Sequence, residues 1–213
     1  MKINSSGKKI YKVLLTGGPC GGKTSAQERL ASYLRAQGWM VFCVPEAVST
    51  LRMGGVKREL LNHRQLSVWQ RGVVKQILQL ESVYEDIASF EEQQDTIIIC
   101  DRGVLDSKQY TPRNDWQRIE KELSADEETS YARYDLVFHL QTAADGASQS
   151  YTTQNNPARL ETDLQLARDR DLRTKQVWMR HPQFCFISNR GCVSFDDKVR
   201  KVIEEVNRQL DMK

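Results

Sequence analysis

The chain has 213 residues, with 31 Lys and Arg against 28 Asp and Glu, for a formal net charge of +3; that length fits one α/β domain. With 39% hydrophobic and 28% charged residues and only 5 Pro and 12 Gly, the composition is not that of a disordered, collagenous or membrane-embedded chain. Both signs of charge are interspersed, so no basic surface argues for nucleic acid, and anionic partners have to be argued locally.

Apolar runs alternate with amphipathic stretches, the pattern of βα units around a parallel sheet. Residues 1–9 are polar, lack the apolar stretch of a secretory leader and are expected to be flexible. A strand over Tyr11–Thr16 leads into a glycine-rich turn and a helix over Thr24–Arg35 that stops at Gly38. A second strand, Met40–Val44, precedes Ser49–Lys57, which carries Gly54-Gly55 and reads as a mobile loop. The longest helix runs from about His63 to Glu91, with Leu66, Trp69, Val73, Ile77, Leu80, Tyr84 and Ile87 on one stripe that fits packing on a sheet. Strands follow at Thr96–Cys100 and Leu136–Leu140. Residues 142–157 are small, polar and turn-rich, as in a lid loop. An arginine-rich helix, a strand at Phe184–Ser188 and a last helix over Asp197–Leu210 complete a single domain spanning 1–213. The five cysteines show no CxxC pair or zinc spacing, which fits free thiols in a reducing cytoplasm. No segment has the length and apolarity to span a bilayer, so no integral membrane association is expected.

The strongest chemical signal is Gly17-Gly18-Pro19-Cys20-Gly21-Gly22-Lys23-Thr24, which satisfies GxxxxGK[ST]. At average residue frequencies a chance match in such a chain is on the order of 1%, and this one lies between an apolar strand and an amphipathic helix, as the mechanism requires. Glycines let backbone N–H groups turn towards a polyphosphate at a helix N-terminus, Lys23 reaches the β- and γ-phosphates, and the Thr24 hydroxyl ligates Mg²⁺. Ser25 follows in the first helical turn.

Three further elements join this one. Asp101-Arg102 closes the third strand, where Asp101 could hold the magnesium shell or take a proton and Arg102 could neutralise phosphate charge, although a strand-end Asp also caps turns. Asp106 is a weaker candidate for substrate contact. Glu46 follows the second strand and could orient an acceptor hydroxyl, or serve only as a helix N-terminal acid. Arg159, Arg170 and Arg173 share a helical face and suit neutralisation of a transferring phosphoryl group on closure. Glu161, Asp163, Asp169 and Asp171 are near enough in sequence to pair with these arginines, which leaves a solvated salt-bridged face as the other reading. His139 reads as a satisfied core residue.

The combination GGPCGGKT, PEA at Pro45–Ala47, DRGVLD at Asp101–Asp106, YDLVFHL at Tyr134–Leu140, R-x-E at Arg159–Glu161 and W-x-x-H-P at Trp178–Pro182 resembles the NadR-like P-loop domain shared with the TRPL translocation defect protein, an ATPase/kinase-type family. The resemblance covers about Ile10 to Val206. It implies a three-layer α/β/α P-loop fold of nucleoside-kinase type with parallel strand order 2-3-1-4-5. It also implies Lys23 and Thr24 as phosphate and Mg²⁺ ligands, Asp101-Arg102 as the kinase-like pair, Arg159 as a lid arginine and Asn189 near the nucleotide base. Ser25 departs from the second Thr common in relatives, which leaves the metal position, Thr24, intact. The family divides between phosphorylation of ribosylnicotinamide with ATP and a branch associated with GTP and phosphoinositides.

Two functions therefore stand at this level: a small-molecule phosphotransferase using Mg²⁺ with ATP or GTP on an unidentified acceptor, and a nucleotide-dependent regulatory NTPase without one. The sequence does not separate ATP from GTP: no N-K-x-D guanine signature is present, yet kinases of this plan read the base through backbone contacts.

Overall fold

A computed structural model describes residues 1–150 and 163–210. Five parallel strands form the sheet: β2 (Lys9–Thr16), β3 (Met40–Val44), β4 (Thr96–Asp101), β5 (Leu136–Leu140) and β6 (Phe184–Ile187). Their spatial order is β3-β4-β2-β5-β6, which is 2-3-1-4-5 when only these five are numbered along the chain. A sixth strand, β1 (Lys2–Ile3), folds back antiparallel on β2. Its two exposed residues carry no apolar pattern, so the sequence gives no sign of it.

The strands are nearly continuous apolar runs because both faces are covered. Successive residues point to opposite layers. Val13 and Leu15 of β2 and Ile97 and Ile99 of β4 pack with Leu30 and Leu34 of α1 (Lys23–Ala36) and Val199, Val202 and Val206 of α7 (Phe195–Gln209). Leu14, Ile98 and Cys100 face the opposite layer, with Trp69, Val73, Val74 and Ile77 of α3 (His63–Ser89), Trp116 of α4 (Arg113–Leu123) and Trp178 of α6 (Leu164–Trp178). The helical stripe of α3 is therefore sheet-packed, with two departures. Ile87 is half exposed, whereas Glu81 is fully buried, its carboxylate bound by Lys12, Arg133 and the Tyr134 hydroxyl.

Helix ends follow local chemistry. After α1, Gly38 at φ +86° donates to Arg35 O while Trp39 N donates to Leu34 O, the left-handed stop that glycine permits. Asn62 and Gln65 form a reciprocal capping box at the start of α3. Residues 49–57, which the sequence presents as a loop, instead contain most of a short helix, α2 (Ala47–Met53), ended by Gly54-Gly55. Its apolar residues Ala47, Val48 and Leu51 pack into the α3 layer, and the two glycines mask that pattern.

The strand order reverses on either side of β2, so the loops leaving β2, β4 and β3 open into one crevice at the carboxyl edge. Pairing in register sets Leu15 beside Asp101, level with the start of the glycine-rich turn.

Candidate functional site

The turn after β2 is held by its own glycines and by its neighbours. Gly17 has φ +131°, and a Cβ there would lie 2.2 Å from the Leu140 carbonyl oxygen, so only glycine lets the loop run this close to β5. Gly22, at φ +83°, opens α1, with Lys23 as its first residue. The Lys23 Nζ donates to the carbonyls of Gly17 (3.1 Å) and Gly18 (2.8 Å). Burial, with the nearby Arg102 charge, lowers the Lys23 pKa to about 8.

Thr24 Oγ1 donates to Asp101 Oδ2 at 2.6 Å, while Asp101 Oδ1 is buried without a hydrogen-bond partner. Burial pushes the Asp101 carboxyl upward and Glu46 adds to this, against the pull of Lys23. A hydroxyl beside an orphaned carboxylate oxygen is the hard-oxygen chemistry that suits Mg²⁺. Among the described residues no group of three or more His, Cys, Asp or Glu side chains could hold a metal by itself. The pair therefore fits a magnesium ion whose remaining oxygens come from phosphate and water.

Arg102 and Glu46, from the ends of β4 and β3, meet at 2.6 Å between Nε and Oε1. Arg102 reaches Gly17 O at 3.4 Å and sits at φ +74°, a strained setting for a side chain of this size. Burial favours a neutral Glu46 but is outweighed by Arg102 and a hydrogen bond from Ser49, which hold the carboxyl below its usual range. Arg102 shifts the other way, kept charged by Glu46 despite its burial. Glu46 is thus held in an ion pair with Arg102. Asp106 is a brace: Oδ1 accepts from Thr16 Oγ1 (2.7 Å) and Trp178 Nε1 (2.6 Å), and Oδ2 lies 3.6 Å from Arg102 Nη1.

One cavity of about 910 Å³ joins these groups. The loop residues Pro19 to Ser25 line one part, with Asp101, Arg102 and Glu46 beside them, and α2, α3, Tyr110, Arg170 and Asn189 are among the residues that line other parts. A family model described as AAA domain matches residues 12–194. The chain belongs to this family of P-loop domains. No curated protein matches the chain. The P-loop family identity accounts for the nucleotide-binding machinery assembled at Gly17–Thr24: the domain is of NTPase or kinase type, with a nucleotide as ligand and Mg²⁺ as the usual companion.

The P-loop of this AAA domain is fastened from behind by residues that the sequence does not assign to the site. Asp171 of α6 accepts from the Gly18 N–H at 2.7 Å and the Thr142 N–H at 3.2 Å, and its Oδ1 lies 3.0 Å from His139 Nε2. Burial would raise the Asp171 carboxyl, but His139 and these backbone donors hold it below its ordinary value. Thr142 Oγ1 donates to Pro19 O at 2.5 Å and Ala143 N to Cys20 O at 3.2 Å. The first part of the expected lid, with Ala143 and Ala144 buried, is thus bonded to the P-loop. Its later part, 151–157, lies outside the described residues, as does Arg159.

Asn189 lies at the cavity, and its amide is already in use. Nδ2 donates to Thr142 O (2.8 Å) and Asp145 O (2.6 Å), and Oδ1 accepts from Lys198 Nζ at 2.9 Å. Burial lowers the Lys198 pKa to about 8. Of the helix arginines, Arg170 lines the cavity, with its guanidinium 5.0 Å from the Tyr110 ring centroid. Arg173 is exposed and does not line it. The buried stripe of α6 is Ala167, Asp171, Thr174 and Trp178. At about 100° per residue Arg173 falls well over a quarter-turn from that stripe and Arg170 less. Asp171, which the sequence offers as a surface partner for arginine, is on the buried side. Its signal was there: an acid on the same stripe as Ala167, Thr174 and Trp178.

Proposed function

We propose that this domain is a small-molecule kinase of nucleoside-kinase type, moving the γ-phosphoryl group of ATP or GTP to a hydroxyl of an acceptor. The observation that carries the reading is the continuity of the cavity. At about 910 Å³ it is at the upper end of small-ligand sites. Beyond the P-loop it runs to a wall of Trp69, Val73, Ile77 and Tyr110, which a triphosphate chain does not need. That wall suits the body of a second molecule. The resemblance to the NadR-like kinase branch supports the same reading.

In this reading the P-loop amides and Lys23 bind the polyphosphate, and Thr24 and Asp101 would hold Mg²⁺, which supplies charge neutralisation at the phosphate oxygens. The other role open to Asp101 is to accept the proton of the acceptor hydroxyl, for which its place at the end of β4 suits it. Arg102, oriented by Glu46, faces the transferring group and offsets the charge that develops there. Arg170 approaches from α6, Arg173 is proposed to act only on a movement of that helix, and Arg159, outside the described residues, is proposed as a further arginine for the transferring group. Asn189 acts through the loop it braces, next to the site of the base.

The test is to incubate the protein with Mg²⁺ and γ-labelled ATP or GTP and a panel of acceptors that includes ribosylnicotinamide and other nucleosides. A labelled acceptor is the expected product. Release of inorganic phosphate alone, at a rate indifferent to every acceptor, would overturn the kinase assignment in favour of a regulatory NTPase.

A further inference from the structure

The wall of the cavity beyond the P-loop is apolar at Val73 and Ile77 but not throughout. Gln70, one turn before Val73 on α3, lines the same cavity. It is only 3% exposed, and among the described residues no hydrogen bond engages its amide. The neighbouring Trp69 also lines the cavity, is 8% exposed, and has its Nε1 buried without a hydrogen-bond partner among the described residues. Asp106 Oδ2, 3.6 Å from Arg102 Nη1, is likewise without a hydrogen bond at this cavity.

Polar groups taken out of water are costly to leave unpaired, so a buried amide with a purely structural role is bonded. Gln27 follows that rule: it is buried too, and its Nε2 donates to Val44 O at 3.0 Å and Ile99 O at 2.7 Å. Gln70 does not follow it. A few polar groups set in an otherwise apolar, ligand-sized cavity are what fixes the orientation of a bound molecule. Their chemistry restricts that molecule. The Gln70 amide gives one acceptor and one NH₂ donor, and the Trp69 indole only donates. The complementary edge carries a carbonyl oxygen, whose two lone pairs can take both donors, beside an N–H for Gln70 Oε1. That is the lactam edge of a hydroxypurine or a uracil-type ring. Adenine has no carbonyl, and a bare sugar has no planar edge. Trp69 and Tyr110 bring aromatic faces to the wall, which suit a flat ring. Asp106 Oδ2 accepts only, which suits a sugar hydroxyl on the Arg102 side.

Resting on the kinase reading above, we infer that the acceptor is a nucleoside whose base carries a lactam. Its carbonyl accepts from Gln70 Nε2 and Trp69 Nε1, and its N–H donates to Gln70 Oε1. Gln70 and Trp69 are then specificity residues for the acceptor, separate from the groups that handle the transferring phosphoryl group.

The test is calorimetric titration of the full chain with Mg²⁺ and a saturating non-hydrolysable ATP analogue, which keeps the P-loop filled. Inosine is compared with purine riboside and with adenosine, and uridine with 4-deoxyuridine; each comparison removes the lactam. At least one lactam nucleoside should bind ten-fold or more tightly than its counterpart. This comparison uses the unaltered protein, so no variant has to fold for it to decide. Trp69→Phe removes the N–H and keeps an aromatic ring, and Gln70→Leu removes the amide at similar volume. Each should erase most of the preference, and an intact isotherm for the ATP analogue shows that the variant is folded. The inference is overturned if neither lactam nucleoside reaches the ten-fold margin, or if no nucleoside binds, which would leave these polar groups to ordered water. It is also overturned if the full preference persists in both variants. Phosphoryl transfer to the same nucleosides is scored separately. A lactam preference in binding with no labelled nucleoside sinks the kinase reading and keeps the subsite, whereas labelled nucleosides without the preference do the reverse.

Discussion

The carboxylate of Asp171 accepts a hydrogen bond from the backbone N–H of Gly18 at 2.7 Å, although 153 residues separate them. The same Oδ1 serves the Thr142 N–H and faces His139 Nε2, so one oxygen ties helix α6, the loop after β5 and strand β5 itself to the second residue of the P-loop motif. Position along the chain hides this contact, and the fold creates it. Helix α6 also carries Arg170, so the element that presents an arginine to the cavity is the one that fixes the phosphate loop.

Replacing Asp171 by Ala leaves two backbone donors without their acceptor, at a cost of about 1–3 kcal/mol for each buried group. The expected outcome is a lower melting temperature and at least ten-fold weaker binding of Mg·ATP, because the loop loses its support. Asp171→Asn keeps an oxygen for Gly18 and should recover most of the affinity. Thermal melts and nucleotide titrations of both variants check this. Unaltered affinity in a folded Asp171→Ala protein would make the residue an anchor of α6 and nothing more.

Gly17→Ala is expected to be among the most damaging small substitutions in the chain. Its Cβ would sit 2.2 Å from the Leu140 carbonyl oxygen, and that neighbour is backbone. The residue is also at φ +131°, which disfavours any side chain. Overpacking alone costs about 1–3 kcal/mol, so denaturant unfolding should show a loss at least at the upper end of that range. Gly38→Ala is the control, with open space around its Cβ and only the positive φ to strain it. A Gly17→Ala protein as stable as Gly38→Ala would show that the loop and β5 separate freely.

The pH dependence of nucleotide binding follows from Lys23. Its pKa is lowered to about 8, first by burial and then by Arg102. Below about pH 8 the ammonium is charged and triphosphate affinity should be flat. Above it, affinity should fall by up to about ten-fold per pH unit, because binding must first recover a proton. The folding linkage has the opposite sign: between 8 and the ordinary 10.5 the unfolded chain binds more protons, so the ligand-free protein gains stability as pH rises. Lys23→Arg, which stays charged, should abolish the decline in affinity. A decline that persists in that variant would trace the titration to another group, with Lys198 at about 8 the first to test.

The parts of this molecule that the sequence displays are those set by short-range rules. Strands β3 and β5 appear as Met40–Val44 and Leu136–Leu140 because buried parallel strands are unbroken apolar runs. The P-loop appears because its glycines, lysine and threonine are fixed in spacing by the phosphate that they wrap. Helix α2 stays hidden because seven residues are too few to establish a 3.6-residue period, and Gly54-Gly55 dominates the local composition. Strand β1 is invisible for a different reason, since its pairing with β2 uses backbone groups alone. Asp171 is misjudged and Lys198 passes unremarked because a charged residue in a charged helix looks solvated, and only the tertiary partners Gly18, His139, Gln141 and Asn189 show otherwise. The arginines divide on one further fact: Arg170 and Arg173 share a helical face in projection, yet only Arg170 lies on the edge of that face that meets Tyr110.

Asp101 gives the sharpest separation between binding and chemistry. Its Oδ2 accepts from Thr24 Oγ1 and its Oδ1 is free of hydrogen bonds, so Asp101→Asn keeps the contact with Thr24 through the amide oxygen and removes only the charge and the basic site. Proton acceptance by a positioned carboxylate contributes about 10²–10⁴-fold to rate. Turnover with the acceptor identified in the labelling experiment should therefore fall at least a hundred-fold, while ATP affinity measured without Mg²⁺ changes less than three-fold. Thr24→Ala should behave differently, weakening the magnesium dependence of nucleotide binding and sparing metal-free affinity. Equal losses of turnover and metal-free affinity in Asp101→Asn would assign the residue to holding the P-loop against β4, because a group that acts only on metal and proton has no reason to alter metal-free binding.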